Sequence, residues 1–231
     1  MATKIDLAKY ARDCLQKREQ NKTSLGPGPV ITISREFGCP AKKIACELTD
    51  AINNKKKRNK WCWLSKEILA ESADQLGLHP DEIQYVFDYK KKGLVDEIIS
   101  AQTRKYYKSD KKIRNTIGKV IKKIAETGNF IIVGRGGAAI ANDIKNSLHI
   151  KLIADIEWRA KNVGKRHDMD INEATRFTLD YDRKRKRFLD YYWGKTSDHS
   201  IFDLIYNCKT MSCEDIVTSI ILMLERRKFL E

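Results

Sequence analysis

The 231-residue sequence has no uninterrupted apolar run near the ~18 residues that a membrane-spanning helix requires. Its first residues, MATKIDLAKYARDCLQKREQ, lack the apolar stretch of a secretory signal, so a cytoplasmic protein with no membrane partner is expected. No two of the six cysteines, at 14, 39, 46, 62, 208 and 213, form a CxxC pair, and their spacing matches no zinc signature. Ordinary reduced thiols are expected. Histidine is sparse: His79, His149, His167 and His199 are scattered without metal-ligand spacing and read as structural. Acidic residues are outnumbered, 31 against 45 Lys and Arg, which leaves a net charge of +14. There is no internal repeat and no low-complexity segment beyond short Lys/Arg runs.

What is present suits a folded domain. Hydrophobic residues make up 42% and charged residues 33%, which excludes a disordered chain. The length fits one domain with an added arm. The positive balance admits two partner classes: nucleic acid, whose phosphates a basic surface neutralises, or a small polyphosphate, whose transfer needs clustered cations. Net charge alone does not choose between them.

Residues 1–20 read as an amphipathic helix carrying Ile5, Ala8, Ala11 and Leu15, and residues 21–29 as a Gly/Pro linker. Residues 1–29 are therefore expected to be a helical arm that packs on the body or on a second chain, so a homodimer is possible. The body, 30–231, alternates strand and helix. Val30–Ser34, Trp61–Leu64, Phe130–Val133, Leu148–Ala154 and Leu204–Tyr206 are the strand candidates. Between them Ile44, Leu48 and Ile52 recur at helical spacing, as do Ile113, Ile117, Val120, Ile121 and Ile124, with Gly128 as the stop. Ser65 could cap a helix that runs through Leu76, and Pro80 could open another. Asp170–Glu173 resembles a capping box, and Ser212 could cap a final helix. Strands alternating with helices predict an α/β fold of three layers, α/β/α, around a parallel sheet.

In such sheets ligands gather at the carboxyl ends of strands, and a helix N-terminus offers N–H groups and a positive dipole to phosphate. Ser34–Lys43, SREFGCPAKK, occupies that place. Against the phosphate-loop pattern GxxxxGK[ST], it keeps Lys42 and, among the glycines, Gly38 alone. Ala41 stands where a glycine should precede the lysine, and Lys43 where a metal-binding hydroxyl should follow it. The loop by itself leaves phosphate binding and a plain strand–helix turn both open.

ITISREFG with its small-residue loop, then IIVGRGG, then a strand leading to Asp155-x-x-x-Arg159, together resemble the cytidylate kinase-like family of P-loop nucleoside monophosphate kinases over roughly residues 30–225. The resemblance implies a P-loop kinase fold, with residues 61–128 as a helical acceptor-side insertion and about 159–198 as an arginine-bearing lid. It also implies transfer of the ATP γ-phosphoryl to a pyrimidine monophosphate, with CMP or dCMP favoured, using ATP and Mg2+.

It further implies roles for individual residues. Gly38, Cys39, Pro40, Ala41, Lys42 and Lys43 would cradle the ATP phosphates, with Lys42 on the β/γ-phosphates. Ser34 and Arg35 would face phosphate at the strand end, and Glu36 would hold a magnesium-bound water. Arg135 matches the arginine of the family's GRD motif, which binds the acceptor phosphate, although Gly136 replaces the acid. Arg159 and Arg166, two helical turns apart, match the lid arginines and are expected to point the same way. Asp182 and Arg185 match an Asp-x-x-Arg element that binds the acceptor sugar and the transition-state phosphates. The arginine that commonly precedes that Asp by four is Thr178 here, a contact that is either missing or supplied by Arg183.

Two other readings stand beside the active kinase. One is a P-loop protein that has lost catalysis, because Pro40 removes a backbone donor and Ala41 adds a Cβ. The other is a nucleic-acid binder, suggested by the basic runs at 55–60, 90–92, 111–112 and 183–187. Those runs lack interleaved aromatics, and no helix-turn-helix appears, which disfavours nucleic acid.

Overall fold

The computed structural model describes residues 28–56, 60–65, 72, 76–77 and 110–230. The expected N-terminal helix and the helix expected from Pro80 lie outside those residues, and of the helix expected from Ser65 through Leu76 only Ser72 and Leu76 are described beyond Ser65, both helical. The body follows the order β1 Val30–Arg35, α1 Ala41–Lys55, β2 Cys62–Leu64, α2 Asp110–Thr127, β3 Phe130–Val133 and α3 Gly137–Ile140. It continues through β4 Ser147–Ile153, α4 Ile156–His167, α5 Ile171–Trp193, a 3-10 turn at His199–Ile201, β5 Leu204–Asn207 and α6 Cys213–Arg226.

The five strands form one sheet in the order β2-β3-β1-β4-β5, and every pairing is parallel. Strand β1 is central, with Val30 opposite Phe130 on one side and Ser147 on the other. A strand buried on both faces should be continuously apolar, and Val30, Ile31 and Ile33 are all fully buried. The two-residue period sorts their side chains. Ile31, Ile33, Ile131 and Val133 join α1 and α6 in one core. Val30, Phe130 and Ile132 join α2 and Phe188 of α5 in the other. Burying each of these branched side chains contributes roughly 1.5–3 kcal/mol. The two apolar cores on opposite sheet faces give the expected α/β/α layering of a P-loop kinase fold.

Thr32 is the polar exception on β1. Its hydroxyl meets His149 Nδ1 at 2.8 Å, and His149 Nε2 meets the Ser147 hydroxyl at 3.1 Å, so the buried histidine is hydrogen-bonded through both ring nitrogens. Burial holds His149 below the ordinary histidine range, against the opposing pull of Asp203.

Several helix ends follow their local sequence. The Asp155 side chain accepts from the Trp158 N–H, Asp170 accepts from Asn172 and Glu173, and Ser212 forms a reciprocal capping box with Asp215. Cys39, Cys46, Cys208 and Cys213 are free thiols as expected, whereas Cys62 is disulfide-bonded and departs from that expectation. Among the described residues no helix is long and apolar enough to cross a membrane, and no group of three potential metal ligands gathers.

Candidate active site

The sheet order turns at β1, because β2 and β3 are added on one side of it and the chain then crosses over to add β4 and β5 on the other. Ligands of such sheets sit beyond the carboxyl ends of the strands at that switch point. The segment Glu36–Pro40 crosses this end between β1 and α1. Gly38 there has φ +99, and a Cβ built on it would lie 2.9 Å from Arg159 Cβ. Only glycine fits that approach. Pro40 precedes the first turn of α1, which has no side-chain cap. Lys42 and Lys43 are exposed at the helix start, and Lys43 pairs with Glu47 at 3.7 Å. Ala41 is buried in the core beneath the loop, so its extra methyl is accommodated by packing.

Three arginines meet beside this loop. Arg35 ends β1, Arg135 follows β3 in a left-handed conformation with φ 57, and Arg185 comes from α5. Arg185 Nη1 donates to the Arg35 carbonyl at 3.3 Å, and its guanidinium lies 4.9 Å from the Phe37 ring centroid. Gly134, with φ +76, makes room for the cluster, since a Cβ there would sit 1.7 Å from Arg35 Nη1. Burial drives Arg35 well below the ordinary arginine range, and repulsion from Arg185 and Arg135 adds to it. Burial likewise lowers Arg185, with Asp182 opposing. Cations drawn together against their own repulsion form a site whose natural counterpart is an anion.

Cys39, in the loop, is hydrogen-bonded to Cys208, which follows β5, and that bond together with burial pushes its thiol far above the usual range. The thiol form is favoured there, which gives it packing character and not nucleophilic character.

The remaining expected site residues divide. Glu36 Oε2 accepts from the Ala154 N–H at 3.1 Å and pairs with Arg159 Nε at 3.2 Å. That oxygen is committed to protein groups, which leaves Oε1 for the expected magnesium-water role, and Lys43 stands where a hydroxyl ligand would be. Arg159 is 5% exposed and held by Glu36, Asp182 and two carbonyls. Arg166 is exposed at the far end of α4, so the two arginines do not point into one place. Equal helical phase is overridden because Glu36, Phe37 and Asp182 enclose Arg159, whereas Arg166 stands in solvent two turns further on. Thr178 is fully buried and its hydroxyl has no hydrogen-bond partner. Arg183, considered as a substitute there, is exposed and pairs with Asp180 at 3.6 Å. Phe37 carries no expectation of its own from the sequence, since an aromatic within a small-residue loop is a common signal.

The sequence matches the cytidylate kinase-like family over residues 30–210. The chain belongs to that family. Among curated relatives, a cytidylate kinase of Staphylothermus marinus is 35% identical over 38% of this chain and 49% of its own length. One of Methanocaldococcus jannaschii is 30% identical over 48% of this chain and 65% of its own length. The chain thus matches about half to two-thirds of the length of these relatives. Of solved structures, an uncharacterized protein from Eubacterium ventriosum superposes with TM-score 0.62 at 22% identity, covering 86% of this chain and 98% of that one. Thymidylate kinase from Candida albicans does so with TM-score 0.50 at 14% identity, covering 90% and 96%. The structural matches carry the fold.

Proposed function

We propose that this protein is a nucleoside monophosphate kinase that transfers the γ-phosphoryl group of Mg–ATP to a pyrimidine monophosphate, with CMP or dCMP as acceptor. The carrying observation is the convergence of Arg35, Arg135 and Arg185 beside the loop that opens α1. Phosphoryl transfer asks a protein to align two phosphates and to neutralise charge on the moving group. Lys42 would hold the β/γ-phosphates at the helix start, where the macrodipole adds positive potential. Arg35, Arg135 and Arg185 would surround the acceptor phosphate and the group in flight. Among the described residues no group of three potential metal ligands gathers, and by this reading magnesium arrives as part of the ATP substrate. The name of the curated relatives, cytidylate kinase, supports CMP over other acceptors.

The second reading, a family member that binds nucleotide without turning it over, is favoured by Pro40, which withholds one N–H from the cradle. Nucleic-acid binding loses ground, because Arg183 and Lys184 of the basic run pair with Asp180, Lys186 pairs with Asp190, and Arg185 faces the loop.

The test is ADP release in a coupled assay with Mg–ATP and each of CMP, dCMP, UMP, AMP and GMP. Turnover with a pyrimidine monophosphate, at least a hundredfold lower in Lys42→Ala and abolished by excess chelator, is expected. ATP binding by calorimetry without turnover on any acceptor would select the second reading.

A further inference from the structure

The resemblance gives Asp182 to an element that binds the acceptor sugar and the transition-state phosphates, and Arg159 to the lid arginines, which would flank the ATP phosphates or stack on the base. The bonds these side chains make lead elsewhere. Asp182 Oδ1 accepts from the Phe37 backbone N–H at 2.6 Å, and its Oδ2 takes Arg159 Nη1 at 2.5 Å. The same Arg159 Nη1 donates to the Phe37 carbonyl at 3.2 Å, and its Nε donates to the Ala154 carbonyl at 2.8 Å. Glu36, the residue before Phe37, closes the ring through Arg159 Nε and the Ala154 N–H. Both backbone groups of Phe37 are therefore held by side chains from α4 and α5. Its ring is held as well. It stacks on Tyr181 at 4.6 Å and 30°, meets Phe177 edge-on at 5.5 Å, and lies under Arg185.

From this geometry we infer that Asp182 and Arg159 are positioning residues, which dock the phosphate loop onto α5 through Phe37 and act on the nucleotide only through the loop backbone. The loop offers few amides to a ligand, since Pro40 gives no N–H and the Cys39 and Ala41 N–H groups bond within the loop, so the direction of those that remain matters. A doubly charged brace around one residue fixes the direction of the neighbouring amides and the entry to α1, which is how a buried network pre-organises a site. Arg185, on the same helix three residues beyond Asp182, is set against Arg35 by the same docking. The loop and the arginine cluster are thereby held in one register.

The consequence for the nucleotide rests on the kinase reading, whereas the docking itself does not, and the test separates them. Amide exchange measured on the wild-type enzyme should show Phe37 slowed at least a hundredfold relative to an unstructured amide. Asp182→Asn should speed that exchange at least tenfold and raise KM for ATP about tenfold, with a smaller rise in KM for the monophosphate through Arg185. Arg159→Lys, which keeps the charge and loses the fork, should move the same two readouts in the same direction. A wild-type Phe37 amide that exchanges freely overturns the inference and needs no variant to fold. So does an Asp182→Asn enzyme that keeps the Phe37 protection and loses acceptor affinity alone, the outcome for a sugar contact. If no monophosphate is a substrate, the kinase reading fails while protected Phe37, and its loss in Asp182→Asn, still support the docking.

Discussion

Gly134→Ala offers a sharp test of the arginine cluster, because it changes one hydrogen to a methyl and touches two separable things. The first is backbone strain. Residue 134 sits at φ +76, and a non-glycine residue in the left-handed region costs about 1–2 kcal/mol. For a chain of this length each kcal/mol lowers Tm by about 2–4 °C, so a fall of roughly 2–8 °C is expected. The second is contact. The new Cβ would lie 1.7 Å from Arg35 Nη1 and 2.9 Å from Arg35 Cζ. These atoms are the far end of a flexible side chain, so the guanidinium swings away and the clash adds little to the stability loss. That end is also the part that would face the phosphate. Displacing one pre-organised donor from a transition-state charge typically costs about 10²–10³ in kcat. The variant should therefore be folded and modestly less stable by calorimetry, yet at least a hundredfold slower in the coupled assay at saturating substrates. A Tm that falls as expected with kcat intact would refute the placing of Arg35 on the transferring group. Unchanged Tm and unchanged kcat together would refute the geometry of the strand end itself.

Gly38→Ala should behave differently, since its Cβ would meet Arg159 Cβ at 2.9 Å and the Arg159 carbonyl at 3.0 Å, atoms fixed by α4; a larger Tm loss than for Gly134→Ala, with weakened ATP binding by calorimetry, is expected. Ile33→Ala empties a fully buried position at the centre of the sheet and should cost about 2–5 kcal/mol in urea unfolding, with KM values unchanged. His149 is held neutral by burial, so its folded pKa lies below its unfolded one. The unfolded chain then binds the proton first, and this stability is present above the unfolded value near ~6.5 and is lost as pH falls below it. Calorimetry from pH 7.5 to 5.5 should show a drop in Tm that is smaller in His149→Gln, and equal drops would remove His149 as the cause.

The sequence by itself determined the sheet and its helix ends. Val30–Ile33 and Phe130–Val133 can only be strands buried on both faces, and Asp155, Asp170, Ser212 and Gly128 punctuate their helices through bonds to near neighbours in the chain. It also located the strand–loop–helix unit at Ser34–Lys43, because the order strand, small-residue loop, helix-start lysine is local, while that order by itself left phosphate binding and a plain turn both open. The partners of charged side chains were a different matter. Arg159 and Arg166 have the same helical phase, yet one is enclosed and the other is in solvent, and only the arrival of Glu36, Phe37 and Asp182 around Arg159 separates them. Asp182 meets a backbone amide 145 positions away, and Cys39 meets Cys208 across the sheet. Periodicity records which side of an element is apolar, since burial acts on each residue alone. A polar side chain's role depends on which other segment arrives beside it, and that is fixed by the closure of the whole fold.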